Sequence, residues 1–330
     1  MKLPKLTNLT EEQKYVIDSD GNFAVFGGAG TGKTMISIWR HIRNFESGKK
    51  SYLITFTHTL TYFLELLISQ ENQEAKYFIN NANAFIKDLD KFTEIDELII
   101  DEAQDLDLET HNKLVKKFKV VSYGVDNRQH IYQNGATQKE LNNIYNPRVQ
   151  QELFLNFRNS ANILSLIQAL FPNNGITEKM INYSKNNYLG NHQLPILIQS
   201  NNNQRLKDIF CKTINNLSIN ESIAILVPTV KLMSEYRLIL DSCQIKYSSY
   251  NYQDLGNVRH IGISRIHLTT FHSSKGLEFD NVIIPEFQLF SQSNKYYVGL
   301  TRAKTGLYLF SNSVNPISTI SKILYNIQEV

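Results

Sequence analysis

Cysteine is scarce. Cys211 and Cys243 are the two in 330 residues, too few for a disulfide framework or a thiolate metal site. Of the eight histidines His272 alone holds a motif position, and the other seven fit no metal-ligand spacing. No apolar run reaches membrane-spanning length, and the opening Met-Lys-Leu-Pro-Lys-Leu-Thr lacks the apolar segment of a leader. No internal repeat or low-complexity tract stands out beyond the asparagine-rich stretches around 172–203, which read as loops or surface helices. Strong charge of one sign is missing too: the net charge of +3 does not by itself announce nucleic acid, because a groove's charge cannot be read from a total. Lys113, Lys116, Lys117 and Lys119 fit a solvated helix face better than the lining of such a groove. No nuclease constellation is recognisable. The expectation is a soluble, cytoplasmic protein with no membrane contact.

What is there begins with a phosphate-binding loop. Gly27, Gly28, Ala29, Gly30, Thr31, Gly32, Lys33 and Thr34 spell G-x-x-x-x-G-K-[ST] directly after the apolar run Phe23-Ala24-Val25-Phe26. Such a loop needs a strand to deliver it and glycines to turn backbone N–H groups toward phosphates. It also needs a lysine for the β- and γ-phosphates and a hydroxyl for Mg²⁺. Met35 to Ile42 supplies a following helix, whose N-terminus adds partial positive charge. A chance glycine-rich turn would lack both flanks.

Downstream, Leu98-Ile99-Ile100-Asp101-Glu102-Ala103-Gln104-Asp105 reads as an apolar strand ending in acids. Asp101 suits Mg²⁺ binding together with Thr34. Glu102 suits the polarisation of an attacking water, since phosphoanhydride hydrolysis depends on positioning and charge stabilisation. Taken alone, the segment could equally be a buried strand before a solvated acidic turn; the loop upstream favours the first reading. The cofactors expected are ATP and Mg²⁺.

Further segments follow in order: Leu9-Thr10-Glu11-Glu12-Gln13, Thr55-Phe56-Thr57-His58, Asp126-Asn127-Arg128-Gln129-His130-Ile131-Tyr132, Asn156-Phe157-Arg158, Thr269 to Phe279, and Tyr297-Val298-Gly299-Leu300-Thr301-Arg302-Ala303. With these, the chain from about Leu9 to Leu309 resembles the UvrD/Rep-type branch of superfamily 1 DNA helicases. The resemblance implies two RecA-like lobes with ATP between them. It implies that Gln13 reads adenine, that Phe157 stacks on it and that Glu278 lies near the ribose. Gln129 would couple the γ-phosphate to the DNA track, and Arg158 and Arg302 would touch the γ-phosphate. Phe56, Thr57, His58, Tyr132, Thr270 and His272 would face single-stranded DNA, or RNA. A lone arginine is usually a surface charge and a lone phenylalanine usually core. Order along the chain and the fit of arginine forks to phosphate lift these above that reading.

The chain also departs from the family pattern. Met35 stands where an arginine would complete an adenine sandwich with Phe157, which predicts looser base selectivity. After Tyr132, Gln133-Asn134 replace a base-stacking aromatic and run one residue short of Gly135-Ala136. Val125 replaces a glycine, and Asn80 to Phe85 match the expected T-x-H-x-F poorly. Residues 60–95 have room for helices at 60–69 and 75–89 but not for an accessory domain, and 245–265 lead almost directly into Ile266. Both bulky insertions of full-size relatives are therefore missing.

Length and patterning agree with an α/β protein of two mainly parallel P-loop NTPase lobes. The first is expected over 1–150 and the second over 151–330, with Asn146-Pro147 breaking the chain before Glu152-Leu153-Phe154-Leu155 begins the second. The functional expectation is an ATP-dependent translocase or helicase, a motor subunit stepping 3′ to 5′ with a protein partner such as a nuclease or other effector. The alternative is an ATPase switch that senses nucleic acid or nucleotide and controls such a partner in antiviral defence or repair.

Overall fold

Short runs rich in β-branched and aromatic residues fold as strands buried on both faces, as parallel sheets require. The computed structural model describes residues 3–132, 134–250, 262–312 and 315–330. Gln133 and the stretch 251–261, part of the lead into Ile266, lie outside the described residues. Two compact units divide after Phe154: Met1–Phe154 and Leu155–Val330.

The first unit holds β1 (Phe23–Gly27), β2 (Ser51–Thr55), β3 (Ile79–Asn81), β4 (Glu97–Ile100), β5 (Val121–Val125) and β6 (Val149–Leu153). They form one parallel sheet in the order β3-β2-β4-β5-β1-β6. Its helices are α1 (Glu11–Asp18), α2 (Lys33–Glu46), α3 (His58–Ile68), α4 (Ala82–Lys87), α5 (Leu108–Lys117) and α6 (Gln138–Tyr145). Alternation along β1 sends Phe23 and Val25 into a core with α1, α2 and α3. Ala24 and Phe26 go into a second core with α4, α5 and α6.

Two expectations are corrected here. Residues 75–89 are not one helix: a 3₁₀ turn at Ala75–Phe78 leads into β3 and then α4. The cause is Asn81, whose Oδ1 caps α4 by accepting from the Asn83 and Ala84 N–H groups while its Nδ2 donates to the Phe56 carbonyl at 2.6 Å. Glu152 and Leu153 do not begin the second unit, because β6 pairs along its length with β1.

The second unit holds β7 (Ile196–Ser200), β8 (Ile223–Val227), β9 (Ser248–Tyr250), β10 (Ile266–Thr270), β11 (Phe279–Ile284), β12 (Ala303–Asn312) and β13 (Asn326–Glu329). They too form a parallel sheet, in the order β13-β7-β12-β11-β8-β10-β9. Helices α7 (Ala161–Leu170), α8 (Glu178–Asn187), α9 (Asn203–Asn216), α10 (Val230–Ser242) and α11 (Asn294–Leu300) accompany it. Two cysteines are too few for a disulfide framework, but Cys211 and Cys243 are joined in a single disulfide. Helices α9 and α10 pack into one core cluster on either side of β8 in sequence, which brings together two thiols 32 positions apart. A lone pair of cysteines carries no spacing signal for this.

Buried charge ties the first unit together. Arg40 Nε donates to Glu97 Oε2 at 2.8 Å, and its Nη1 and Nη2 groups donate to the carbonyls of Ile17 and Gly21. Glu97 also accepts from Asn44 and Ser122. Helix α2 is thereby fastened to α1, β4 and β5. Glu97→Ala should destabilise the protein by about 3–5 kcal/mol in urea unfolding, the usual cost of stripping one partner from a buried ion pair.

Among the described residues three histidines are buried and hydrogen-bonded: His41 with Ser51 and Ala75, His111 with Tyr145 and Ala103, and His267 with Ser248. Burial lowers each from 6.5 to about 4. Each stays neutral while folded and takes up a proton on unfolding, so stability should fall as pH drops from about 6.5 to about 4. Melting temperatures across that window check the sign, and His41→Gln should flatten the decline.

Candidate functional site

Ligands of open parallel sheets gather at the carboxyl ends of the strands, and in the first unit those ends carry the conspicuous polar groups. The loop leaving β1 is a turn that only glycine fits at its start. A Cβ on Gly27, at φ +156, would press within 2.7 Å of the Thr31 hydroxyl and 2.9 Å of the Leu153 carbonyl. Gly30 and Gly32 also take positive φ, and Thr31 Oγ1 donates to the Gly28 carbonyl at 2.9 Å. Lys33 opens α2 and curls back, its Nζ donating to the carbonyls of Gly27 (2.8 Å) and Gly28 (3.0 Å). Ala29 is buried beside them.

Thr34 and Asp101 meet as the sequence predicts. Thr34 Oγ1 donates to Asp101 Oδ2 at 2.9 Å, and Ser37 Oγ to Asp101 Oδ1 at 3.3 Å. Burial and the neighbouring Glu102 charge push the Asp101 carboxyl up to about 7, against the hydrogen bonds of Thr34 and Ser37 and the charge of Lys33. A hydroxyl beside one carboxylate, with nucleotide phosphates to complete the shell, is an oxygen donor set that suits Mg²⁺. Among the described residues no group of three or more His, Cys, Asp or Glu could hold a metal by itself. Glu102 follows at φ +59, a left-handed conformation that is costly for a residue with a side chain.

Asp126, at the end of β5, gathers the rest. It accepts from Gln129 Nε2 at 2.7 Å and lies 3.8 Å from Lys33 Nζ. Gln104 donates to Glu102 and accepts from the Asp126 N–H at 3.2 Å. Asp126 and Gln104, together with Ser37, are site residues that sequence reasoning passed over. Each stood inside or beside a quoted motif, but a role could be read only from the adjacency of β4, β5 and β1.

Gln13 is placed differently from expectation. Its Oε1 accepts from the Thr10 N–H at 3.0 Å and its Nε2 donates to the Thr31 carbonyl at 3.1 Å, so both ends of the amide are engaged and the residue is 3% exposed. It braces the loop.

In the second unit, Asn156, Phe157 and Arg158 form a turn in which Asn156 Oδ1 accepts from the N–H groups of Arg158 and Asn159. Asn159 Nδ2 donates to the carbonyls of Thr301 (3.0 Å) and Ala303 (2.6 Å), pinning this turn to the segment that carries Arg302. Arg158 Nε donates to Glu278 Oε2 at 2.9 Å. Arg302 is buried, its Nε donating to Val298 and its Nη1 to Leu277. Phe157 keeps 44% exposure, with Tyr183 edge-on at 5.5 Å.

The residues nominated for nucleic acid divide. Phe56 and Tyr132 pack ring against ring, centroids 4.6 Å apart, and burial with the nearby Asp105 charge raises the Tyr132 phenol. Thr57 caps α3, and His58 begins it. Gly135 is bridged to Asp107. Thr270 is buried, its hydroxyl shared with Ser273 in the turn after β10. His272 is half-buried, and burial with the charges of Lys295 and Lys275 lowers its pKa.

A family model for an AAA domain matches residues 13–133, and one for the UvrD-like helicase C-terminal domain matches residues 265–310. Over the second stretch the chain is similar to the UvrD-like helicases, and the two matched stretches fall one in each compact unit. Among solved structures, S. cerevisiae Dbp5 bound to RNA and ADP BeF3 is similar in fold, with TM-score 0.61, 12% identity, and coverage of 97% of this chain and 89% of Dbp5. The C-terminal domain of a possible DNA helicase from Lactobacillus plantarum matches at TM-score 0.39 and 17% identity over 52% of this chain and 98% of that one. The arterivirus nonstructural protein 10 helicase matches at 0.46 and 14% over 96% and 64%, so this chain spans less than two thirds of it. No curated protein matches the sequence. No helix among the described residues is long and apolar enough to cross a membrane.

Asn159→Ala would leave two buried carbonyls without their donor, each costing about 1–3 kcal/mol. Denaturation should show that loss in the second unit, and nucleotide turnover should fall with it because the Arg158 turn loses its anchor.

Proposed function

We propose that this UvrD-like chain is an ATP-driven motor on single-stranded nucleic acid, moving 3′ to 5′ and working with a protein partner. The observation that carries the reading is the Thr34 hydroxyl on the Asp101 carboxylate at 2.9 Å, with Lys33 one residue before and Glu102 one residue after. Loop N–H groups and Lys33 bind the β- and γ-phosphates, and the base meets the exposed face of Phe157. Thr34 and Asp101 hold Mg²⁺, which when bound neutralises charge on the phosphate oxygens. Glu102 orients and polarises the attacking water, with Gln104 holding its carboxylate. Arg158 and Arg302 supply cations for the charge that develops on the γ-phosphoryl oxygens. Gln129, through Asp126, senses whether Lys33 is engaged by phosphate, and Phe56, Tyr132 and His272 present the nucleic-acid track.

A second reading, an ATPase switch that controls an effector without unwinding, gains from Phe56 and Tyr132 packing on each other and from the lack of room for an accessory domain in residues 60–95.

Lys33→Ala should abolish tight Mg·ATP binding. Glu102→Gln should keep binding and lose turnover by at least about 10²-fold, the scale of a positioned base. Arg158→Ala and Arg302→Ala should lower kcat by about 10³-fold with little change in affinity. Single-stranded DNA should stimulate the ATPase with an affinity that falls as salt rises, while a fluorescent duplex-opening assay on the purified chain alone should show weak unwinding or none. ATPase indifferent to nucleic acid would favour the switch, and robust unwinding without a partner would contradict the bare-motor account.

A further inference from the structure

β8 and β11 are neighbours in the second sheet, and the chains leaving them part company. From β8 the chain runs into α10, which shares a core cluster with α9. From β11 it turns off at Glu286, at φ +58, toward α11, whose Tyr297 meets Phe171 at the end of α7. Connections that diverge from adjacent parallel strands leave a crevice at the carboxyl ends, the usual place for a ligand in an open sheet. A cavity of about 240 Å³ lies there, lined from α9, α10, the turn after β11 and the end of β12. It falls wholly within the second unit, and none of its lining residues belongs to the site described above.

The buried part of the lining is aromatic. Phe210 meets Tyr236 and Phe310 edge-on, with centroids 5.3 and 5.7 Å away. Beside these rings one carboxylate is held in a fixed direction. Glu286 Oε1 accepts from the Tyr236 hydroxyl at 2.8 Å and Oε2 from the Gln288 amide, whose own Oε1 takes the Asn312 N–H at 3.4 Å. Burial and the Glu286 charge raise the Tyr236 phenol, so it remains a donor. An ionised carboxylate offers about four acceptor positions, which leaves about two here for a ligand. Among the exposed lining residues Glu235 adds a second carboxylate against the single ammonium of Lys207. The Cys211–Cys243 disulfide joins α9 to the end of α10, so two walls of the cavity are crosslinked before anything binds.

Aromatic faces beside an oriented carboxylate match a guanidinium, which stacks on rings and forks onto a carboxylate through parallel N–H bonds. The excess of carboxylate disfavours a phosphate. The cavity is also smaller than the roughly 300–1,000 Å³ of pockets for drug-sized ligands, so it suits a single side chain. Leu289, next to Gln288, is 53% exposed and offers apolar surface to the residues flanking such a side chain.

We propose that this cavity receives an arginine side chain from a protein partner, a docking point separate from the nucleotide site. The proposal goes beyond the motor reading and stands whether or not the chain hydrolyses a triphosphate.

The test is a methyl NMR titration of the full chain with a Gly-Arg-Gly peptide blocked at both ends, with Leu206 as the reporter in the cavity. A dissociation constant on the order of 1 mM is expected for so small a probe. The citrulline twin, which keeps the shape and loses the charge, should bind at least about tenfold more weakly. Glu286→Gln keeps an acceptor for Tyr236 and should weaken the arginine peptide by about tenfold or more. Equal binding of the citrulline twin, undiminished binding to Glu286→Gln, or no shift of Leu206 up to about 10 mM peptide would each overturn the proposal. Free arginine binding as tightly as the peptide would make this a small-molecule pocket and overturn it as well. Should Glu286→Gln fail to fold, the arginine–citrulline comparison on the wild type still decides.

Discussion

The hydrogen bond from Thr34 to Asp101 closes a gap of 67 residues, and the site depends on it. It can form because β5 lies between β1 and β4, so the chain leaving the first strand and the chain leaving the fourth emerge at the same edge of a parallel sheet. The same placement puts Asp126, at the end of β5, beside Lys33 and Gln104. Three strand ends thus assemble a cation, three carboxylates and two amides in a buried setting. Unbalanced burial of so much charge is costly. The raised Asp101 carboxyl and the left-handed Glu102 show where that cost is held. A divalent cation held by Thr34 and Asp101 would offset the excess of negative charge.

The second unit obeys a different constraint. β10 and β11 both run parallel to β8, so residues 271–278 must carry the chain back along the sheet within eight positions. This tight return puts Glu278 beside Arg158 and the Leu277 carbonyl against Arg302. Gly299 lets α11 close on Phe271, since a Cβ there would lie 2.6 Å from the ring. Asn159 ties the other side. The arginines are held by backbone carbonyls and a carboxylate in a defined setting, as groups must be if their value lies in position.

Much of this was legible in the sequence. The strand before the phosphate loop, the acidic strand, the Thr34–Asp101 pairing and the parallel α/β class follow from local patterns whose periodicity and chemistry are strong. What could not be read depended on partners remote in sequence. β3 is three residues long and owes its existence to Asn81 bridging to Phe56, so a helical pattern over 75–89 was the natural but mistaken reading. β6 belongs to the first sheet because β1 has an open edge, a fact of topology. Two cysteines give no pairing signal until α9 and α10 are packed together. Gln13 shows the subtlest limit: its motif position was plain, while the direction of its amide was set by Gly32 and the Thr10 cap.

The central claim is that Thr34 and Asp101 form one metal site with a nucleotide triphosphate. Manganese can replace magnesium there, and electron paramagnetic resonance of Mn²⁺ with a non-hydrolysable triphosphate reports both partners at once through coupling to phosphorus. The account predicts a protein-bound manganese coupled to phosphorus in the wild type that is lost in Asp101→Asn. A manganese–nucleotide signal the same as in free solution, or one unchanged by Asp101→Asn, would contradict it.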